Sequence, residues 1–295
     1  MLRSLLLIVG SVAIPVVLLV ATMVTLRWLR KRENRRSPLT DKLFHQPGEQ
    51  LRQRIQGLED DIDERLARLF VIGPLLLLAI VLPAVDWRVV RADWGMLLVL
   101  VFGLAFVAWN VRSVWTLWKA RADAQAGLSG ELASAQELNR LMAKDCVVFH
   151  DVPGGRANFD HVVVSPSAVF LVETKWRSKR GSGKASAEVI YDGESLQFPN
   201  GFKDRAPLEQ ASACARELAK DLHGKTGEPV RVIPVVSLPG WFVRTMPAAQ
   251  HAQVKVLNPK LAWTLLETGA APIPPAQRRR IIDRIAERYP DTRED

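Results

Sequence analysis

The chain has 295 residues, of which 48% are hydrophobic, and carries a formal net charge of +9. This length accommodates a soluble domain of ordinary size together with a few membrane spans. The positive charge indicates an anionic partner, either phospholipid or nucleic acid, and charge alone does not distinguish them. The two cysteines, Cys146 and Cys214, form no Cys-x-x-Cys or Cys/His cluster, which argues against a zinc or redox site.

Three apolar segments in the first part of the chain predict three transmembrane α-helices. Ser4–Leu26 contains no charged residue, and about 20 such residues cross a bilayer. An arginine cluster follows it without an Ala-x-Ala cleavage pattern, so we interpret it as an uncleaved anchor. Leu69–Val85 and Met96–Val111 are shorter, and predict a transmembrane hairpin, with a shallow re-entrant hairpin as the alternative.

Basic residues are distributed unevenly around these segments. Six of them follow the first segment, namely Arg27, Arg30, Lys31, Arg32, Arg35 and Arg36. The loop between the second and third segments has only Arg88 and Arg91, which Asp86 and Asp93 offset. The positive-inside rule therefore predicts a multi-pass protein of the inner (cytoplasmic) membrane, with membrane lipid as a partner and the C-terminal domain in the cytoplasm.

The loop between the first two segments contains an amphipathic helical pattern. Apolar residues recur at spacings of three and four from Leu51 to Leu69, and Pro47 suits the first helical turn. The pattern fits a coiled-coil seam, through which two copies would form a homodimer. It fits equally a helix packed on the membrane or on its own domain.

The rest of the chain alternates between helical and β-rich segments, as α/β domains do. Ser129 is the predicted N-cap of a helix that ends near Met142. Three predicted strands follow, at Cys146–Phe149, Asn158–Val164 and Ala168–Lys175. Next come a hairpin at Glu188–Phe198, with Asp192-Gly193 as a type I′ turn, and a helix from Pro207 to His223. Strands at Val230–Ser237 and Gln253–Leu257 and two short helices close the chain. The valine-rich strands leave neither sheet face polar, which predicts a mixed sheet covered on both sides.

These elements divide the chain into six predicted segments. They are transmembrane helix 1 at residues 1–27, a cytoplasmic basic segment with the amphipathic helix at 28–68, a transmembrane hairpin at 69–112, a connector at 113–127, an α/β domain at 128–260 and C-terminal helices at 261–295. The predicted fold class is therefore α/β, preceded by three transmembrane helices.

Two carboxylates are predicted to meet between the second and third strands. If Val164 pairs with Val169, Asp160 lies directly opposite Glu173 on one face, and Lys175 points to the same side. Two opposed carboxylates repel each other unless a cation lies between them. Mg²⁺, bound by one or two carboxylates with waters and a substrate phosphate, meets that need, and the lysine ammonium would stand beside it.

Two more polar side chains interrupt apolar helical stripes, Glu131 on one helix and Gln210 on the other. Each residue also has a simpler interpretation: Glu131 complements a helix dipole, Gln210 is solvated, Asp160 caps a turn, and Glu173 with Lys175 forms a surface ion pair. The convergence of all five residues favours a common site at the sheet-facing ends of two helices.

Several short motifs together resemble the NERD (nuclease-related) domain, which is assigned to the PD-(D/E)XK nuclease superfamily. They are Gly130-Glu131, Asn158-Phe159-Asp160-His161-Val162-Val163-Val164, Val169-Phe170-Leu171-Val172-Glu173-Thr174-Lys175, and Pro207 with Gln210. The proline of the superfamily's P-D pair is absent, since Phe159 precedes Asp160. His161 matches the family's D-H pair but points to the face opposite Asp160, so we interpret it as structural.

The resemblance implies a restriction-endonuclease-like αβββαβ core and Mg²⁺- (or Mn²⁺-) dependent hydrolysis of phosphodiester bonds. It implies that Glu131, Asp160 and Glu173 are the acidic residues that hold the metal. It also implies that Lys175 is the lysine of the E-x-K motif and that Gln210 is an accessory polar residue of the same catalytic site.

A basic loop directly after Lys175 predicts contacts with nucleic-acid phosphates, or alternatively with anionic lipid. Its residues are Arg177, Lys179, Arg180 and Lys184. Farther along, Trp241-Phe242 either stacks on a base or anchors a loop on the core.

The sequence therefore favours a membrane-tethered, metal-dependent nuclease that acts on nucleic acid, expected to be DNA, on the cytoplasmic side. One alternative is a non-catalytic module that binds nucleic acid or protein at the membrane. Another is a membrane-assembly protein that dimerises through the Leu51–Leu69 helix. The intact acidic set with Lys175 favours the nuclease.

Overall fold

The computed structural model describes residues 46–84, 94–155, 157–179, 187–267 and 271–289, without the side chains of residues 69–100. Contacts divide the chain into two compact units. One contains Ile55–Asp123, and the other contains Asp41–Arg54 together with Ala124–Asp295. The candidate site lies in the second, which we call the C-terminal unit.

The described residues of the first unit belong to two long helices, α1 (Glu49–Ala84) and α2 (Trp94–Asn139). The predicted amphipathic helix of Leu51–Leu69 falls within α1. Two residues of its apolar face, Ile55 and Ile62, are buried within the single chain. The homodimer through this helix stays a prediction.

Among the residues that the structure describes, no helix has an apolar stretch long enough to cross a membrane. The predicted span Ser4–Leu26 lies outside those residues, as do the side chains of 69–100, which include the second span and the start of the third. The three predicted transmembrane helices therefore find no support in the described part of the chain.

The predicted helix start at Ser129 is wrong, because α2 continues through the predicted connector. The Ser129 hydroxyl donates to the carbonyl oxygen of Gln125 at 3.0 Å, which is a bond inside a helix and not an N-cap. The last part of the connector, residues 121–127, is polar, but its alanines favour a helix, so polarity alone does not interrupt one here.

The main sheet of the C-terminal unit has five strands in the order β1-β2-β3-β7-β9. The strands are β1 (Val147–Val152), β2 (Phe159–Val164), β3 (Val169–Thr174), β7 (Val232–Ser237) and β9 (Lys255–Leu257). The first three are antiparallel, whereas β3, β7 and β9 are parallel. The predicted mixed sheet is thus confirmed, and its element order fits a nuclease-like core.

Helices cover both faces of this sheet, as the valine-rich strands predict. On one face, Leu138 of α2 packs in a buried cluster with Phe170. On the other, Leu218 of α3 (Ala206–Thr226) and Ile281 of α4 (Pro275–Ala286) pack with Phe159. Burial of one such side chain contributes roughly 1.5–3 kcal/mol. The C-terminal helix α4 therefore belongs to the same core as the predicted 128–260 domain.

A second, smaller sheet was not predicted. It has the order β6-β5-β4-β8, with strands β4 (Glu188–Tyr191), β5 (Leu196–Gln197), β6 (Lys203–Asp204) and β8 (Phe242–Thr245). The predicted hairpin at Glu188–Phe198 is confirmed as β4 and β5. Its turn is not the predicted type I′, because a four-residue loop begins at Asp192, whose Oδ1 accepts from the amides of Glu194 and Ser195.

Candidate functional site

The pairing of β2 with β3 places Asp160 opposite Glu173. Val164 pairs with Val169, and the register continues to His161 opposite Val172, so the next pair is Asp160 with Glu173. The register on which this prediction depended is therefore confirmed. Asp160 also accepts a hydrogen bond across the strands, from the Thr174 amide to Oδ2 at 2.7 Å.

The turn between β2 and β3 fixes this register. The Ser165 side-chain oxygen accepts from the amides of Ser167 and Ala168, at 3.2 and 2.9 Å, which closes the turn. A slip of one residue would turn Asp160 to the other face, so this turn determines which side chains meet. In the preceding turn, between β1 and β2, a Cβ at Gly154 would collide with the carbonyl oxygen of Ala157, so only glycine fits there.

Glu173 is the most constrained carboxylate of the site, with only 3% of its surface exposed. Its Oε1 accepts from Lys175 Nζ at 2.8 Å and from Gln210 Nε2 at 2.6 Å. Its Oε2 is buried and has no hydrogen-bond partner among the described residues. A buried carboxylate oxygen without a donor is costly, by about 1–3 kcal/mol or more, and this one fits a bound cation.

Asp160 lies in an environment that disfavours its charge. Burial, then the charges of Glu173 and Glu131, raise its pKa well above the ordinary value. The Thr174 amide and the Lys175 ammonium lower the pKa, but by less. A divalent cation beside Asp160 would reverse this balance and favour the ionised form.

Glu131, on α2, makes a contact that the sequence did not predict. Its Oε1 accepts from the amide of Gly48, immediately before α1, at 2.9 Å. Burial, followed by the charge of Asp151, raises the pKa of Glu131 to about 7. Glu131 is close enough to the carboxylate pair to raise the pKa of Asp160, although one of its oxygens is already hydrogen-bonded.

The described residues contain no ready cluster of three or more His, Cys, Asp or Glu side chains for a metal ion. The metal set of Glu131, Asp160 and Glu173 stays a prediction. A pair such as Asp160 and Glu173 is nevertheless the usual protein contribution to a Mg²⁺ site, because this ion keeps several waters.

The raised pKa of Glu131 predicts that the stability of the metal-free protein falls with rising pH. A carboxyl whose folded-state pKa is near 7 binds its proton more tightly than in the unfolded chain, where the value is 4.5. This proton therefore stabilises the folded protein by at most about 3 kcal/mol. The stabilisation is complete below pH 4.5 and is lost as the pH rises through 7. Glu131→Gln should flatten this decline in urea denaturation measured in EDTA at pH 5 and pH 7.5. The exposed Glu194→Gln is the control, and equal slopes for Glu131→Gln and wild type would contradict the assignment.

His161 is structural, as its position on the opposite face predicts. It is fully buried, with Nδ1 2.9 Å from His150 Nδ1 and Nε2 3.3 Å from Thr174 Oγ1. Burial lowers the pKa of both histidines, that of His150 to about 4. Thr174 was missed by the sequence analysis, although its place between Glu173 and Lys175 puts it on the face of His161.

The basic loop is only partly described, since Arg180 and Lys184 lie outside the described residues. Arg177 Nη2 donates to Asp204 Oδ2 at 2.6 Å, and Lys179 Nζ lies 5.6 Å from the centre of the Trp241 ring. Trp241 is buried, and its Nε1 donates to the Arg177 carbonyl oxygen at 3.2 Å. Trp241 therefore anchors the start of the loop on the core.

Comparison with known families agrees with this geometry. Residues 126–239 match the family model of the nuclease-related domain, NERD, so the chain carries such a domain over less than half its length. The matched range contains Glu131, Asp160, Glu173, Lys175 and Gln210. No curated protein and no solved structure matches the chain.

Proposed function

We propose that the NERD domain is a divalent-metal-dependent nuclease of the PD-(D/E)XK type, which hydrolyses phosphodiester bonds of nucleic acid, with DNA as the expected substrate. The observation that carries this proposal is the buried Oε2 of Glu173, opposite Asp160, which has no hydrogen-bond partner among the residues that the structure describes. The ion pair with Lys175 uses only Oε1 and leaves Oε2 unsatisfied, whereas a bound metal ion would satisfy it.

Asp160 and Glu173 would hold Mg²⁺ or Mn²⁺, with Glu131 as a third carboxylate beside them. A divalent ion there would stabilise the negative charge that develops on the phosphate during hydrolysis and would lower the pKa of a water bound to it. The Thr174 amide orients Asp160 at 2.7 Å, and the Gln210 amide orients Glu173 at 2.6 Å. These bonds fix both carboxylates before a substrate arrives, which lowers the cost of positioning them.

Lys175 would act on the substrate. Its ammonium is held 2.8 Å from Glu173 Oε1, and the side chain is still 23% exposed. Its backbone amide donates to the Ser237 carbonyl oxygen at 2.9 Å, which fixes the chain where β3 ends. From this position the ammonium, a compact positive charge with three hydrogen-bond donors, can orient an attacking water or a phosphate oxygen.

The direct test is a cleavage assay of the purified full-length protein on labelled single-stranded DNA, duplex DNA and RNA. We expect cleavage with Mg²⁺ or Mn²⁺ and none with EDTA. Cleavage that persists in EDTA would assign the activity to a contaminant or to another mechanism. Absence of cleavage on all three substrates with either ion would refute the nuclease.

The second candidate is a non-catalytic module that binds nucleic acid or protein. Two observations favour it: Lys175 forms an ion pair with Glu173, and Glu131 accepts from Gly48. Both contacts satisfy acidic groups without a metal. In that case the domain would bind nucleic acid without cleaving it, and Mg²⁺ would not change its stability.

We also propose that the chain is anchored in the cytoplasmic membrane, with the C-terminal unit on the cytoplasmic side. The uncharged sequence Ser4–Leu26 supports this, and so do the exposed apolar side chains of α2 at Phe102, Trp109 and Trp115. A reporter enzyme fused after Asp295 should behave as cytoplasmic, and one inserted near Val89 as periplasmic. A periplasmic signal from the C-terminal fusion would overturn this topology.

A further inference from the structure

A cleft of about 220 Å³ opens beside the basic loop in the C-terminal unit. Its walls include the aromatic rings of Phe198, Phe202 and Trp241 and the polar side chains of Arg177 and Asn200. Sites for drug-sized ligands measure roughly 300–1,000 Å³, so this cleft fits a smaller group. A flat aromatic ring with polar edges matches both its size and its lining.

The aromatic wall is built rigidly from a short hairpin. Phe198 and Phe202 flank the turn Pro199-Asn200-Gly201, in which the Phe198 amide donates to the Phe202 carbonyl oxygen at 2.9 Å. Gly201 has a positive φ of 78°, which favours glycine in this type of loop. The turn therefore holds the two phenylalanines at one end of the cleft.

The three rings differ in exposure. Phe198 and Trp241 are buried and meet edge to face, with ring centres 5.3 Å apart. Phe202 lies 6.4 Å from Phe198 and is 54% exposed. An exposed phenylalanine supported from behind by buried rings offers one free face, on which a nucleobase can stack.

Two basic side chains border this aromatic wall. Arg177 lines the cleft, and its guanidinium is held by Asp204, whose Oδ1 also accepts from the Ala206 amide at 3.1 Å. Lys179 lies over the Trp241 ring. Aromatic rings interleaved with basic side chains are the usual composition of a single-strand binding surface. A protein ligand with an apolar side chain would not need these cations.

The cleft is also close to the candidate nuclease site along the chain. Arg177 follows Glu173 by four positions, which span at most roughly 14 Å of extended chain. The Trp241 indole fixes Arg177 through its carbonyl oxygen. A single strand can therefore place a phosphate at the carboxylates and a nearby base in the cleft.

We propose that this cleft binds one unpaired base of the nucleic-acid substrate, stacked on Phe202 and bordered by Arg177. The proposal rests on the proposed nuclease function for the nature of the ligand. It assigns the substrate class as single-stranded nucleic acid, or a strand with an unpaired base. A base in a duplex is covered on both faces by its neighbours and would have to leave the stack to enter.

The test measures binding of the full-length protein in EDTA, so that it does not depend on cleavage. The probes are a fluorescent oligothymidylate, the same oligonucleotide without bases, and a duplex. Phe202→Ala removes the ring on which one base stacks. The variant should therefore bind the oligothymidylate roughly 5- to 100-fold more weakly than wild type does. The same variant should bind the base-free strand as wild type does, and Phe202→Trp should restore affinity for the oligothymidylate.

Trp263→Ala is the matched control, because Trp263 is an aromatic side chain about as exposed as Phe202 that does not line the cleft. Three results would overturn the proposal. They are wild-type binding of the base-free strand as tight as that of the oligothymidylate, equally tight binding of the duplex, and no effect of Phe202→Ala on binding of the oligothymidylate. Base-dependent binding without any cleavage in Mg²⁺ would keep the cleft and refute only the nuclease.

Discussion

Glu173→Gln is expected to reduce metal-dependent cleavage by about 1,000-fold or more, because catalytic metal sites supply several kcal/mol to the transition state. Glutamine has the shape of glutamate and can still accept from Lys175 and Gln210. The substitution removes the negative charge and replaces one of the two carboxylate oxygens with an NH₂ group of similar size. The loss would therefore report on the charge of this side chain and not on the packing around it.

Asp160→Asn should have the same effect on cleavage but a different effect on stability. An asparagine oxygen can still accept from the Thr174 amide, while the repulsion with Glu173 disappears. The metal-free variant should thus unfold at the same temperature as wild type or a higher one, and Mg²⁺ should raise its Tm less. Glu209→Gln, a neutral control on the exposed side of α3, should leave both properties unchanged. Cleavage by Glu173→Gln at the wild-type rate would contradict the assignment of Glu173 as a metal ligand.

Lys175→Ala is expected to separate metal binding from catalysis. If the ammonium acts on water or phosphate, its removal should lower cleavage by roughly 100- to 10,000-fold. Metal binding should persist, because the carboxylates that hold the ion remain. The measurement is the kcat for cleavage, taken together with the rise in Tm that Mg²⁺ or Mn²⁺ produces.

The binding-module interpretation predicts a different result for the same variant. There Lys175 serves only to neutralise Glu173, so its loss leaves a buried negative charge without a counter-ion and destabilises the domain by roughly 3–5 kcal/mol. Added Mg²⁺ would not restore the stability. Lys220→Ala, an exposed lysine on α3, controls for the loss of one positive charge. A large destabilisation of Lys175→Ala that Mg²⁺ leaves uncorrected would favour the module.

The pair of Asp160 and Glu173 could be predicted from the sequence because its determinants are local. Two valine-rich strands and a turn of Ser165-Pro166-Ser167 lie within a short stretch of chain, so one register buries the valines on both faces. That register fixes every opposite pair. Gln210 could be predicted for a similar reason, since helical spacing determines the face on which it lies.

Other parts of the site depend on contacts between distant segments, which leave no pattern in the sequence. The Gly48 amide meets Glu131 across 83 residues, and no periodicity indicates that partnership. The second sheet likewise pairs β4 with β8 in parallel across the intervening helix α3. Parallel strands need a long crossover, so their pairing is not visible in either strand alone. The cleft between Phe202 and Arg177 is a consequence of that sheet.

Calorimetric titration of Mn²⁺ into the full-length protein at pH 7.5, in two buffers with different ionisation heats, tests the central claim most directly. The claim is that Asp160 and Glu173 hold a divalent ion. Wild type should bind the ion and release protons, because the raised pKa of Asp160 and the pKa of Glu131 near 7 leave protons for the metal to displace. Glu173→Gln should bind at least about tenfold more weakly. A wild-type protein that binds neither Mn²⁺ nor Mg²⁺, with nucleic acid present or absent, would contradict the account.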